Sequence, residues 1–224
     1  MSGRKRLASS IGLLIAWGGT ALLLSPAARL PGDPSSIATL CLGQLALWLL
    51  FAGVAAIVFL WEKEPPASLW LRPLRWRSFA LGGLLFLAHV LLLYPATEWL
   101  RNALGLPGYA AGMESVLALP VWFRIIAVLT AGIVEETLFR AYAVTRLARL
   151  TGSMWLAVVL SSSVFAALHL PAWGIGPSFS FFAGGLAMTG FFIWRRDLLA
   201  MIVAHAAIDA WGLIVSPLFA RWWA

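Results

Sequence analysis

The sequence predicts an all-α fold: a polytopic transmembrane helix bundle of about seven spans, with its N-terminus inside. Three observations lead there. First, of 224 residues 62% are hydrophobic and 11% are charged, whereas soluble domains run near a quarter charged. A soluble fold of this size would lack the polar residues to cover its exterior, and lipid removes that need. Second, uncharged runs of about 18 or more residues, enough to cross a bilayer, recur along the chain. Third, the basic residues stand in short clusters between these runs: Arg4-Lys5-Arg6, Arg72/Arg75/Arg77, Arg146/Arg149 and Arg195-Arg196. Clusters of that kind mark cytoplasmic loops. They form no single patch, so the net charge of +7 does not point to nucleic acid.

The spans follow in order. Residues 7–25 give the first and 35–61 the second. Residues 1–25 also resemble a signal peptide, with a basic start, an apolar run and then Ser25-Pro26-Ala27-Ala28. The run is long for that role, so an uncleaved first helix is expected. The third span covers 78–97, between Arg77 and Glu98. The stretch 101–120, with Pro107-Gly108, Glu114 and Pro120, reads as an outer loop with a short interfacial helix. The fourth span starts near Val121 and runs through Ile125–Val134 into Glu135-Glu136. Residues 150–194 are uncharged but too long for one helix. The segment Pro171–Pro177 divides them into a fifth span at about 153–170 and a sixth at about 177–194. The seventh follows Asp197 and runs to about Ser216, where Pro217 is expected to stop it. The chain reads as a single membrane domain, 1–224, with helices 1–3 and the outer loop in 1–119 and a core of helices 4–7 in 120–216. The lone Cys41 excludes an intrachain disulfide and a Cys-rich metal site.

Charge sets the orientation. With the N-terminus inside, segments 1–6, 62–77, 145–152 and 195–197 face the cytoplasm and hold most of the Lys and Arg. The opposite segments hold Arg29, Arg101, Arg124 and Arg221. That bias favours N-in and C-out.

Ionisable groups inside a span cost a few kcal/mol each, so they are functional candidates by default. Here they are His89, Glu135, Glu136, Arg140, His169, His205 and Asp209. Helical spacing organises them. Glu136 and Arg140 are i and i+4 and can pair, while Glu135 is turned about 100° away. His205 and Asp209 are also i and i+4, so Asp209 can fix which imidazole nitrogen faces the site. Phe165 and His169 repeat the spacing, and Ser162 extends a polar stripe on the fifth helix. Convergence of these turns would build a polar chamber. A carboxylate there can serve as general base, and imidazoles can orient water, shuttle protons or donate to an oxyanion. The bland readings stand beside these. Glu136–Arg140 reads as a structural pair, and His89, with no polar partner at helical spacing, as a packed or interfacial residue. Ser161–Ser163, Gly184-Gly185 and Gly190 read as small packing residues.

These residues carry a family resemblance. Glu135-Glu136-Thr137-Leu138-Phe139-Arg140 matches EExxxR, Phe165–His169 matches FxxxH, and His205–Asp209 matches HxxxN/D. Their order and placement resemble the CPBP family of intramembrane endopeptidases, which includes CAAX prenyl proteases and Abi-type bacteriocin-processing or immunity proteins, over about residues 120–216. The resemblance implies peptide-bond hydrolysis in the bilayer. Glu135 would activate water with His169, His205 and Asp209 would orient the site or stabilise the oxyanion, and Glu136, Arg140 and Phe165 would support it. The family motif often ends in Asn. An ionised Asp209 cannot donate as an amide can, so it must be protonated, orient His205 or bind a metal. Glu135, His169, His205 and Asp209 are acceptable zinc ligands, and a metalloprotease stays open beside the favoured metal-free reading, since no HExxH is present. Serine and aspartyl intramembrane proteases are excluded, for there is no GxSG and no pair of intramembrane aspartates. Membrane lipid and a peptide or membrane-associated protein substrate are the expected partners, in a bacterial inner membrane. A proton-coupled transporter and a non-catalytic immunity or scaffold protein are the alternatives. One count conflicts: on these spans Glu135 lies roughly 15 Å, His205 roughly 12 Å and His169 roughly 24 Å from the inner boundary. A correction to the helix boundaries or tilt is expected.

Overall fold

Among the described residues, eight α-helices and one short 3-10 turn (Pro66–Leu69) make up the fold. The computed structural model describes residues 2–25, 30–33 and 35–223, with side chains for all of these except 111 and 220–223. Arg29, the Pro26-Ala27-Ala28 part of the signal-like segment and the Arg221 side chain lie outside the described residues. The helices are α1 (Gly3–Leu24), α2 (Ile37–Trp61), α3 (Trp76–Ala103) and the short α4 (Ala110–Leu117). Then come α5, built from Val121–Thr130, Ala131–Val144 and Thr145–Thr151 without a break, α6 (Met154–Trp173), α7 (Ile175–Arg195) and α8 (Leu198–Phe219, continuing to Trp223). No strand occurs among the described residues. Six helices, α1, α2, α3, α6, α7 and α8, are long and apolar enough to cross a membrane. The seventh long helix is α5, which buries Arg124, Glu136 and Arg140 inside the bundle and carries Glu135 half-buried beside them. The protein is therefore a multi-pass integral membrane protein, and its many exposed Leu, Phe and Trp side chains are a lipid-facing surface.

Local chemistry sets the helix ends. Ser2, Ser36, Ser153 and Asp197 cap helix N-termini by accepting from the backbone N–H three residues on. Gly152 and Gly174 end α5 and α6 at φ +74° and +79°, where glycine adopts the left-handed turn at no steric cost. Three expected boundaries move. α3 continues through Pro95 and Glu98 to Ala103. The break after α6 is Gly174 alone, since Pro171 lies within the helix. Pro217 does not stop α8, which runs on through it to Trp223. The outer loop does carry a helix, α4.

The fourth correction resolves the conflict in depth. α5 does not end near residue 145 but runs to Thr151. Glu135 lies seventeen residues before Gly152 and His169 seventeen after it, so the α5–α6 hairpin brings them to one height. Both are then roughly 25 Å from the turn.

The segments expected inside gather at one end of the bundle. Lys5 and Arg149 each lie 3.0 Å from a Glu64 carboxylate oxygen. Ser78 donates to Asp197 at 2.7 Å, and Arg72 to the Arg195 carbonyl at 3.1 Å. Beneath this surface lies a buried knot. The Glu62 carboxylate receives Arg146 Nε at 3.0 Å and Nη2 at 2.6 Å, and Ser9 Oγ at 2.6 Å. Arg146 also donates to the Ser68 carbonyl and to Thr145 Oγ1. Arg146 is therefore a fully buried residue rather than a loop charge.

Close approach fixes the middle of the bundle. α8 lies between α3 and α5. A methyl at Gly82 of α3 would fall 2.8 Å from the Ala200 carbonyl oxygen, and one at Gly132 of α5 would fall 3.0 Å from Ala206 Cβ. Glycine at these two points lets the backbones meet.

Two outcomes follow from the inner end. Glu62→Ala or Arg146→Ala leaves a buried charge unpaired and costs about 3–5 kcal/mol, whereas the apolar double substitution Glu62→Met/Arg146→Leu recovers most of that loss. Thermal unfolding in detergent measures both. At Glu64, burial pushes the carboxyl up, but hydrogen bonds and charge from Lys5 and Arg149 outweigh it and hold the group below its ordinary value of 4.5. Its contribution is present above pH 4.5 and is lost as pH falls further and the group protonates. The stability difference between wild type and Glu64→Gln should therefore close in acid and not in alkali.

Candidate active site inside the bundle

The polar turns of α5, α6 and α8 meet around a cavity of about 490 Å³. On α5 they sit in Ala131–Val144, a run of wide turns with i→i+5 hydrogen bonding. Such turns are rare and recur at functional sites. Two further wide turns line the same cavity, His89–Leu93 in α3 and Trp211–Val215 in α8.

Glu136 is the centre of the arrangement. Its side chain is fully buried. Oε1 lies 3.1 Å from Arg140 Nη1 and 2.7 Å from His205 Nδ1. A carboxylate only accepts, so Nδ1 of His205 carries the proton on that side. Nε2 then faces the other two acids, 3.5 Å from Asp209 Oδ2 and 4.0 Å from Glu135 Oε2. Glu136 and Asp209 thus hold opposite nitrogens of the His205 ring. The Glu136–Arg140 pair, expected as structural, also contacts a third residue on another helix. The Arg140 guanidinium stacks 4.0 Å over the Phe165 ring, a desolvated contact that holds both in place.

On α6, His169 Nδ1 lies 2.7 Å from the Phe165 carbonyl oxygen. A carbonyl cannot donate, so in the neutral imidazole Nδ1 bears the hydrogen and Nε2 keeps its lone pair. The ring packs on Phe165 at 4.5 Å and on Phe181 at 4.8 Å, both centroid to centroid. Ser161 Oγ donates to the Phe139 carbonyl and ties α6 to α5 at this level. Glu135 and His169 both line the 490 Å³ cavity and a second cavity of about 150 Å³ beside it. They form part of a shared wall.

Two residues passed over in the sequence belong to the lining. His89 faces the cavity from α3, and its Nδ1 is buried without a partner. Gly184 packs beside it, and a methyl there would stand 3.6 Å from His89 Cε1, an ordinary contact. Gln44 of α2 also lines the cavity, with Oε1 unpartnered. The signal for His89 was its presence in a span. It was discounted because its neighbours in the cavity lie on other helices. Gly185 faces Ser162, whose buried Oγ also has no partner.

No set of three or more His, Cys, Asp or Glu side chains among the described residues is arranged to hold a metal ion. The residues Glu135, His169, His205 and Asp209 do not form such a set, although the Nδ1 bond to Glu136 leaves His205 Nε2 free on the side of Asp209 and Glu135.

Residues 117–211 match the family model described as type II CAAX prenyl endopeptidase, Rce1-like. The matched segment holds all three motifs and corresponds to the family that they resemble. Neither the curated proteins nor the solved structures contain a match to the chain.

The tautomers are measurable. In protein labelled with ¹⁵N-histidine, His169 should give the shifts of the Nδ1–H form, with assignment by single His→Gln variants. An Nε2–H form at His169 would contradict the hydrogen bond to Phe165.

Proposed function

We propose that this chain, a multi-pass membrane protein whose residues 117–211 match the Rce1-like segment, is an intramembrane endopeptidase in which Glu135 activates water. One observation carries the reading: Glu136 holds His205 by Nδ1 at 2.7 Å, so that Nε2 stands 4.0 Å from Glu135 on a wall shared with His169. A base and a donor thus face one space inside an apolar bundle.

The residues divide the work as follows. Water between Glu135 and His169 donates one hydrogen bond to each, to the carboxylate and to the bare Nε2 of the imidazole. Glu135 takes a proton as the water oxygen attacks the carbonyl carbon of the scissile amide. The new C–O bond pushes the carbonyl electron pair onto oxygen. Protonated His205 donates Nε2–H to that oxyanion, with Asp209 beside it. Collapse of the intermediate breaks the C–N bond. The electron pair leaves with nitrogen, which takes the proton from Glu135, and an amine and a carboxylic acid depart. Glu136, Arg140 and Phe165 are positioning residues, since they hold His205 and the α6 ring stack in register. No step passes through a metal. The substrate is a membrane-associated peptide or protein, and the basic end of the bundle faces the cytoplasm of what we take to be a bacterial cell.

The test uses the purified protein in liposomes with a membrane-anchored peptide substrate. Glu135→Gln and His169→Ala should each lower turnover by about 10²–10⁴-fold, the usual weight of general base catalysis. His205→Ala should lower it by about 10²–10³-fold through loss of an oxyanion donor. Circular dichroism and thermal unfolding should stay at wild-type values for Glu135→Gln. Full turnover in that variant would refute the assignment. Proton flux without cleavage would favour a transporter instead.

A further inference from the structure

Charge is not balanced at the inner end of the bundle. The acids there are committed to partners. Glu62 is paired with Arg146, and Glu64 with Lys5 and Arg149. Asp197 is buried; its Oδ2 accepts from Ser78 Oγ at 2.7 Å and its Oδ1 from the Ala200 N–H at 3.1 Å. Arg72, Arg75, Arg77, Arg195 and Arg196 stand at the same end, and among the described residues none of them forms an ion pair. These arginines come from two stretches far apart in sequence, which the fold joins into one surface. The Leu198 N–H donates to the Trp70 carbonyl at 3.1 Å, Arg72 donates to the Arg195 carbonyl at 3.1 Å, and Ser78 donates to Asp197. The α2–α3 linker is thus stitched to the α7–α8 turn on both sides of Arg75 and Arg77.

The surface has a fixed shape. Trp70 and Arg196 both adopt the left-handed backbone, at φ +56° and +53°, a conformation unfavourable to any residue with a Cβ. The Arg196 guanidinium stands 5.3 Å over the Trp70 ring, and that ring packs on Phe192 at 4.6 Å. Arg195 lies 4.9 Å over Trp194, and its Nε is buried without a hydrogen-bond partner. Buried donors are ordinarily satisfied, so an acceptor from outside the chain fits at this point. Exposed Leu71, Leu74, Trp76 and Trp194 stand among the arginines. Indole rings beside basic residues at helix ends sit at the headgroup level of a bilayer. The matching partner has an anionic head rich in oxygen and hydrocarbon attached to it.

We propose that the junction of the α2–α3 linker with the α7–α8 turn binds one anionic phospholipid of the inner leaflet. Its phosphodiester meets Arg72, Arg195 and Arg196, with Arg75 and Arg77 beside them, and its acyl chains run against Leu74, Trp76 and Trp194. Guanidinium groups take phosphate oxygens two at a time, and basic pockets between helix ends hold such headgroups. A zwitterionic lipid is disfavoured, because it brings its own cation into a field of unpaired positive charge. The bound headgroup relieves repulsion among the guanidinium groups and clamps α3 to α8 one turn from the close contact at Gly82. The site does not depend on the chemistry proposed for the cavity.

The test titrates the full-length protein in detergent with phosphatidylglycerol, phosphatidylcholine or sn-glycerol 3-phosphate and reads bound adducts by native mass spectrometry. Wild type should retain one phosphatidylglycerol about tenfold or more tightly than phosphatidylcholine. Glycerol phosphate, the headgroup without chains, should give no adduct at the same concentration. An arginine beside an anionic headgroup is worth about fivefold in affinity, so Arg72→Gln/Arg195→Gln/Arg196→Gln should bind about 100-fold more weakly. The control is Arg4→Gln/Arg6→Gln on α1, which packs on α2 and α5 at the inner end. It removes charge from the same leaflet and should stay within about twofold of wild type. If the triple variant lacks a thermal unfolding transition, Arg75→Gln/Arg77→Gln takes its place, with an expected loss of about 25-fold. Loss in the α1 control as large, charge for charge, as in the cluster variant marks a diffuse field and overturns the site. Equal retention of phosphatidylglycerol and phosphatidylcholine, or no retained lipid, overturns it as well. Glycerol phosphate held as tightly as the lipid identifies a site for soluble phosphate and overturns the lipid assignment.

Discussion

A carboxylate with no access to water has to be met by partners inside the protein, and Glu136 organises the bundle around that requirement. Its side chain is fully buried, and leaving such a charge unpaired costs several kcal/mol. Arg140 supplies the charge one turn on, and His205 supplies a hydrogen bond from α8. The second partner matters more for the architecture. A 2.7 Å contact between α5 and α8 demands that the two backbones lie close, and Gly132 against Ala206 allows it. Gly82 performs the same service on the α3 side. The electrostatic demand of one acid and the small size of two glycines thus define a single interhelical distance. The polar groups of the candidate site inherit their positions from it.

The protein contains two buried polar clusters that differ in one instructive respect. At the inner end, Glu62 and Arg146 are saturated: both carboxylate oxygens and the guanidinium nitrogens have partners from Ser9, Tyr142, Thr145 and Ser68. In mid-bundle, Glu136 Oε2, Arg140 Nη1 and Ser162 Oγ are buried and lack hydrogen-bond partners, although Arg140 and Glu136 remain an ion pair. A saturated network fixes a fold. An undersatisfied one retains hydrogen-bonding capacity, which suits a place where a polar ligand is bound. The saturated cluster carries no unused donor with which to do chemistry.

How much of this was legible in the sequence depends on the range of each interaction. Spans are local, and the apolar runs identified the long helices directly. The i to i+4 pairs are local as well: Glu136–Arg140, Phe165–His169 and His205–Asp209 all meet as their spacing implies. What the spacing could not convey were contacts between distant residues. Glu136 and His205 are 69 residues apart, and Glu62 and Arg146 are 84 apart. Spacing shows Asp209 on one nitrogen of His205, but not Glu136 on the other. Arg146 was read as a loop charge, which shortened α5 by two turns and produced the conflict in depth. His89 was discounted for the same reason, since a search along its own helix finds no polar neighbour.

The corrected end of α5 shows how the site tolerates such distant parts. Because α5 and α6 form a hairpin about Gly152, residues equally far from that turn lie side by side. Phe139 and Phe165 are thirteen residues from it on either side, and their rings pack at 5.5 Å. Glu135 and His169 are one turn further along each arm. The aromatic pair therefore acts as a spacer that sets the height of the acid and the imidazole above it, and Arg140 stacked on Phe165 locks the spacer to the Glu136–His205 contact. The hairpin alone would place Glu135 beside His169, and the α5–α8 approach alone would place Glu136 beside His205. Only their intersection at Phe165, whose ring meets His169 at 4.5 Å and His205 at 6.4 Å, brings an acid and two imidazoles into one chamber.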